Sequence, residues 1–337
     1  MGQLYVGLDY HKAFIQVCVV KGDGDVLGNR RCANDWRAVV ECVQPLGIVH
    51  RCSIESCSGA ANLAEQLVVL AGWSVDLAHP GYVSRMKMSP DKSDFSDARM
   101  LADLTRVGYL PKVWLAPEVI RELRRLVRYR QQLAQERGDA KLRLRALLRE
   151  HRIIEPSGKP WTKRWLVWLA MCDGLGEQSQ WLRDQYLLCL QRSEEDIRTV
   201  ERRLALVTKD DAQVNRLLEQ PGIGPVTAWT IRAEIGRFDR FNNGKQLARF
   251  CGLSPRNASS GQRQADAGLI KAGNAMLRAT LIEAAWRLIR CDERWRTLAL
   301  SMKARGKPAC VIAAAIANRW VRSLYYEMRT LGQATAA

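Results

Sequence analysis

Three features of the 337-residue sequence predict an α/β N-terminal domain, a long helical arm and a mostly α-helical C-terminal domain. Up to residue 116, short β-branched runs alternate with segments of helical periodicity. From Glu118 to Arg152 one apolar stripe continues at helical spacing beneath many arginines. The last third is a series of helical patterns joined by glycine-bearing turns. These features divide the chain into residues 1–116, 117–210 and 211–337.

Leu4 to Asp9 reads as a buried strand ending in an acid, and Phe14 to Val20 as a second strand. Gly22-Asp23-Gly24-Asp25 is a tight turn into a third strand, Val26 to Arg31, which completes a meander. Asp35 to Val43 follows as a helix, and His50 to Glu55 as another strand ending in an acid. Ser58 to Ala71 reads as a helix, Trp73 to Ala78 as a strand, and Pro80 opens a short element that Ser89-Pro90-Asp91 breaks. The next helix carries Asp94 and Asp97, with Ser93 placed to cap it and Met100, Leu101 and Leu104 as its stripe. The order is therefore β-β-β-α-β-α-β-α.

Glu118 to Arg152 predicts one helix interrupted only at Gly138, with eleven basic residues against five acids. Gln180 to Val207 predicts a second long helix, antiparallel to the first, so that 117–210 forms a helical hairpin or coiled-coil spacer. Between them, Trp161, Trp165 and Trp168 suit core packing or a partner surface better than base stacking. In the last region Leu217 to Ala228 has the helix–hairpin–helix pattern around Pro221-Gly222-Ile223-Gly224. Its glycines free backbone N–H groups to approach a phosphate, although a plain glycine turn between packed helices has the same residues. Phe241 to Phe250, Ala275 to Ile289 and Pro308 to Met328 are further helices.

The net charge is +17, and residues 1–116 hold twelve basic and twelve acidic side chains. The whole excess thus lies on residues 117–337, which points to chemistry in a neutral module and polyanion binding in a basic one. Arg124, Arg128, Lys141, Arg145, Gly222, Gly224, Arg256, Arg263 and Lys271 are the candidate nucleic-acid contacts. On the long helix, a solvated charged face competes evenly with phosphate contact. Ten scattered cysteines without a Cys-x-x-Cys, and four histidines that form no ligand motif with a cysteine pair, give no zinc pattern and predict reduced, mostly buried thiols. The lack of an 18-residue apolar run or a leader pattern predicts a cytoplasmic protein without a membrane span.

Asp94 and Asp97 alone would suit a first helical turn on dipole grounds. With Asp9 and Glu55 at the ends of two strands, they make four acids able to converge at one end of a sheet. Four such carboxylates can hold two Mg²⁺ ions about 3.5–4 Å apart, the arrangement of RNase H/RuvC-like nucleases and transposases.

These residues resemble the DEDD insertion-sequence transposases, which include bridge-RNA-guided recombinases and Piv-type DNA invertases. Gly7 to Lys12, Ile54-Glu55, Lys92 to Leu101, Leu218 to Ala228, Phe250 to Pro255 and Ser260-Gly261 carry the resemblance, in family order along nearly the whole chain. It implies that Asp9, Glu55, Asp94 and Asp97 bind Mg²⁺ and that Ser260 is the nucleophile that becomes joined to a DNA phosphate. It also implies donor and target DNA, a structured bridge RNA and a dimer or tetramer with composite sites. The chain departs from the family at Ser56-Cys57-Ser58-Gly59-Ala60, where members carry a Thr-Gly-x-Tyr-like stretch, and at Ile270, where many have Ser. The rivals are a RuvC-like nuclease such as a Holliday-junction resolvase, which would not need Ser260, a Piv-type DNA invertase, and a non-catalytic nucleic-acid-binding protein, which would need neither the acids nor the serine.

Overall fold

The computed structural model describes residues 3–86, 93–257, 266–270 and 273–331. The chain forms two compact units that meet at residues 117 and 118.

The first unit is a six-stranded mixed sheet. Its strands are β1 (Leu4–Tyr10), β2 (Phe14–Lys21), β3 (Val26–Ala33), β4 (Val49–Glu55), β5 (Val75–Ala78) and β6 (Lys112–Val113), in the order β3-β2-β1-β4-β5-β6. β1, β4 and β5 run parallel, and the other pairs are antiparallel. The helices are α1 (Trp36–Val43), α2 (Ala60–Ala71), α3 (Pro80–Met86) and α4 (Asp94–Arg106). The order read from the sequence matches, with two refinements. Asp35 is not helical but caps α1 by accepting from the Arg37 N–H, and α2 starts at Ala60 because Gly59 adopts φ +95°. Lys112–Val113 adds a sixth strand, which pairs with β5 at the sheet edge.

The alternation of the strands decides which side chains meet which helix. Leu4, Val6 and Leu8 of β1 join Cys52 and Ile54 of β4 in a core with Val39, Val43, Leu63 and Leu67 of α1 and α2. Cys18 and Val20 of β2 pack on the other face against Ala98 and Ala102 of α4. Gly7 shares that face. A Cβ there would lie 2.1 Å from the Ala98 carbonyl oxygen and 2.4 Å from the Ala102 nitrogen, so α4 rests directly on the β1 backbone. Ser53 of β4, fully buried, donates to the Leu101 carbonyl at 3.1 Å, and Thr105 donates to Ser53 at 2.6 Å. This polar pin fixes the rotation of α4 above the sheet.

The second unit is helical. α5 (Glu118–Glu150) is continuous through Gly138, and α7 (Glu177–Val207) packs along it. Arg130 binds Glu201, and His151 lies 2.8 Å from Ser179, so the two helices run antiparallel. Between them, α6 (Lys163–Met171) closes a small core of Leu144, Leu148, Trp165, Leu169 and Leu190. At the other end Leu123, Val127, Ile197 and Leu204 join the main core, which α8 (Ala212–Leu218), α9 (Pro225–Ile235), α10 (Gly244–Phe250), α11 (Ala275–Cys291), α12 (Glu293–Ala304) and α13 (Ala309–Met328) complete. The short strands β7 (Pro255–Asn257) and β8 (Asp266–Leu269) pair as a ribbon. Neither α12 nor this ribbon is foreseen in the sequence reading. Of the ten cysteines four are buried, two half-buried and four exposed, which corrects the expectation that most are buried. No helix among the described residues is long and apolar enough to cross a membrane.

Candidate metal centre

The face of the sheet under α4 ends in carboxylates. Asp9 lies two residues beyond Gly7 on β1, and therefore on the same face. Glu55 stands two beyond Ser53 on β4, on that face as well. Leu8 is in register with Ile54, so Asp9 and Glu55 are the next residues out on adjacent parallel strands. Asp94 and Asp97 occupy the first turn of α4, on the stripe that continues to Ala98 and Leu101, and Ser93 caps that turn by accepting from the Ser96 N–H. The Gly7 contact and the Ser53 pin thus bring the start of α4 over the strand ends.

A histidine joins the acids here. His11 Nε2 lies 3.0 Å from Asp9 Oδ2 and 3.2 Å from Asp94 Oδ1. Asp9, His11 and Asp94 each offer one ligand atom, all within 4.8 Å of one another. The imidazole stacks on Phe14 at 4.6 Å, and the Arg31 guanidinium lies 4.4 Å from the centre of the same ring. Arg31 also holds Asp94 Oδ2 at 2.9 Å, so the two oxygens of Asp94 have different partners. Asn29 of β3 donates to the Phe95 carbonyl and accepts from Gln16, tying the first turn of α4 to the meander.

Asp97 is buried, and the Asp9 side chain is only 16% exposed. Burial raises the Asp9 carboxyl above the ordinary carboxylate value. The hydrogen bond and charge of His11 pull it back, and the charges of Asp97 and Asp94 add to the rise. The Cys57 thiol is raised by desolvation first, with the charges of Glu55 and Asp9 adding to the rise. Close carboxylates with an imidazole nitrogen are a donor set that fits a divalent cation. The sequence reading missed His11, although it stands two residues after Asp9 just past a strand end, where side chains on one face converge.

The sequence-predicted contacts of the second unit have varied surroundings. Arg128 binds Glu234 through two nitrogens at 2.9 and 3.0 Å. Arg124 donates to the Ala233 carbonyl at 3.1 Å and lies 3.7 Å from the same buried Glu234. Arg145 pairs with Glu155, and the Lys141 ammonium lies 5.0 Å from the centre of the Trp161 ring. Gly222 has φ +75°, and a Cβ on it would come 3.2 Å from Arg287 Cβ, so its turn sits against α11. The space around Gly224, at the start of α9, is open, and Arg256 of β7 is exposed. Ser260, Arg263 and Lys271 lie outside the described residues. Arg240, which the sequence reading did not single out, lies over the rings of Phe241 and Phe250, and burial lowers it to about 10.

Two family models match the chain. One, for DEDD transposases of the IS110 type, covers residues 6–153, and the other, for the transposase IS116/IS110/IS902 family, covers 214–299. A Pseudomonas aeruginosa protein named "Probable family 20 transposase" is 30% identical over 81% of this chain and 82% of its own length. This chain belongs to the IS110 family of DEDD transposases. The transposase for insertion sequence element IS1111A of Coxiella burnetii is 28% identical over 93% of this chain and 86% of its own. The transposase for element IS1328 of Yersinia enterocolitica is 28% identical over 83% and 82%. The IS110-family transposase is thus a DNA-cleaving and rejoining enzyme. Its DEDD domain implies an RNase H-like fold and divalent metal use, in keeping with the mixed sheet and the carboxylates at its end.

Proposed function

We propose that this transposase cuts and rejoins DNA with Asp9, Glu55, Asp94 and Asp97 as ligands of one or two Mg²⁺-type cations and Ser260 as the nucleophile, guided by a structured bridge RNA. The observation that carries the reading is the convergence of Asp9 with Asp94 and Asp97 beside Glu55, at the sheet end where the family's acids belong. A bound cation supplies Lewis-acid polarisation of the scissile phosphate. The Ser260 hydroxyl attacks that phosphate and passes its proton to a base, a phosphoserine ester forms, and the leaving deoxyribose oxygen takes up a proton. Reversal of that step onto a second DNA end rejoins the strands. The coiled-coil hairpin α5–α7 and the helix–hairpin–helix around Gly222 and Gly224 hold nucleic-acid backbone, while base pairing to the RNA selects donor and target. The acids and Ser260 come from different subunits of a dimer or tetramer, as the family resemblance implies.

A covalent-adduct assay tests this. Cells carrying the gene with its native flanks are lysed under denaturing conditions, and DNA attached to the protein is sequenced. Attached DNA from wild type, absent for Ser260→Ala and Asp97→Ala, is the expected result. Cleaved DNA with no adduct would make water the nucleophile and favour a RuvC-like resolvase. Binding without cleavage would leave a nucleic-acid-binding protein. Steep loss of nucleic-acid affinity with added salt is expected from the charge on residues 117–337, and a flat response would remove the basic unit as the binding face.

A further inference from the structure

We infer that His11 is itself a ligand of the metal centre, and that its nitrogen shifts the preference of the site from Mg²⁺ toward Mn²⁺. The inference rests on the metal role proposed above for Asp9 and Asp94. His11 is not among the four acids that define the site, and its place in the geometry is what assigns it.

The spacing is the first argument. Two ligands at right angles around an ion about 2.1 Å away stand about 3.0 Å from each other. His11 Nε2 is 3.0 Å from Asp9 Oδ2 and 3.2 Å from Asp94 Oδ1, close to the edges of such a shell. As a ligand, His11 would offer the Nε2 lone pair to the ion, with the proton of the neutral ring on Nδ1.

Positioning is the second argument. A ligand imidazole needs its plane fixed before the ion arrives. The 27° stack on Phe14 does this, and the Arg31 guanidinium braces the same ring. Arg31 also occupies Asp94 Oδ2, leaving Oδ1, the oxygen nearer His11, for the ion. One arginine therefore orients both candidate ligands from outside the shell. The side chain of His11 is 37% exposed, open enough for an ion to enter beside it.

The consequence for selectivity follows from ligand type. Mg²⁺ favours an all-oxygen shell and keeps its waters, whereas Mn²⁺ and the later divalent ions gain from an imidazole nitrogen. A set of carboxylates plus one imidazole thus gains more with Mn²⁺ than with Mg²⁺.

The test is pulsed electron paramagnetic resonance of Mn²⁺ bound to the full-length protein, prepared with natural-abundance or ¹⁵N-labelled histidine. The chain has four histidines, so His11→Gln assigns the signal. The expected result is histidine nitrogen coupling in wild type, its loss in His11→Gln, and roughly tenfold weaker Mn²⁺ binding with Mg²⁺ binding little changed. Bound Mn²⁺ that Asp97→Asn releases but that shows no nitrogen coupling would overturn the inference and leave the carboxylate site standing. Coupling that survives in His11→Gln would overturn it too. Mn²⁺ binding that ignores Asp97→Asn, or no binding, would defeat this inference and the carboxylate reading together. Should the variant fold poorly, a wild-type spectrum of bound Mn²⁺ without nitrogen coupling still overturns the inference.

Discussion

Two groups of buried acid in this transposase are treated in opposite ways. In the helical unit Glu234, 5% exposed, is held by two nitrogens of Arg128 with Arg124 beside it. In the sheet unit Asp9 and Asp94 share one imidazole, and the Asp9 carboxyl is pushed up by burial, pulled back by His11 and raised again by the charges of Asp97 and Asp94. Glu234 is an acid balanced for structure. Asp9 is an acid held where its charge is opposed, a state that a cation relieves. Acidity and burial are common to both groups, and the local charge balance separates them.

Substitutions can sharpen that contrast. Asp97→Ala should cost the largest factor: DNA cleavage falls by at least about 10³-fold, while circular dichroism and melting stay near wild type. A variant that unfolds would make Asp97 structural and erase the distinction. Glu234→Gln should do the reverse, losing about 2 kcal/mol of stability in chemical denaturation because Arg124 and Arg128 keep their charge without its counter-charge. Per-molecule cleavage by the folded fraction should hold. Thr105→Val, which removes the pin on Ser53, should cost about 1 kcal/mol and loosen α4, seen as faster amide exchange along that helix.

The smallest effect concerns Asp9. Its folded-state value is raised, so between the unfolded value of 3.8 and the raised one the folded protein binds more protons than the unfolded chain. Stability contributed by the neutral form is present below the unfolded value and is lost as pH rises through the folded one. Metal-free Asp9→Asn should therefore melt at or slightly above wild type at neutral pH, with the gap closing as pH falls toward the unfolded value. A variant that melts well below wild type would mean that the charge of Asp9 stabilises the fold.

Much of the sheet unit was legible in the sequence because its signals are local. Short β-branched apolar runs gave the strands, and Ser93 before Asp94 gave the start of α4. The common face of Asp9 and Glu55 follows from alternation once Gly7 and Ser53 are known to lie under α4, and that contact is long-range. His11 was passed over because one imidazole after a strand carries no signal until Asp94, 83 residues later, is brought beside it. Arg124 and Arg128 show the same gap from the other side. Their spacing on α5 suits a phosphate as well as a buried glutamate, and only the packing of α9 reveals Glu234. Helix α12 was missed although Asp292 caps it, because its charged residues blur the apolar stripe.

The seat of α4 on Gly7 also sets a timetable. β1 leaves the ribosome before α4, and Asp97 is added 88 residues after Asp9. At 5–20 residues per second, roughly 4–18 s separate the two. During that interval the nascent strand has no helix above Gly7 and no first-turn carboxylates over its end. Fragments that stop short of α4 lack Asp94 and Asp97, so under the metal role proposed for them the site is complete only when that helix settles.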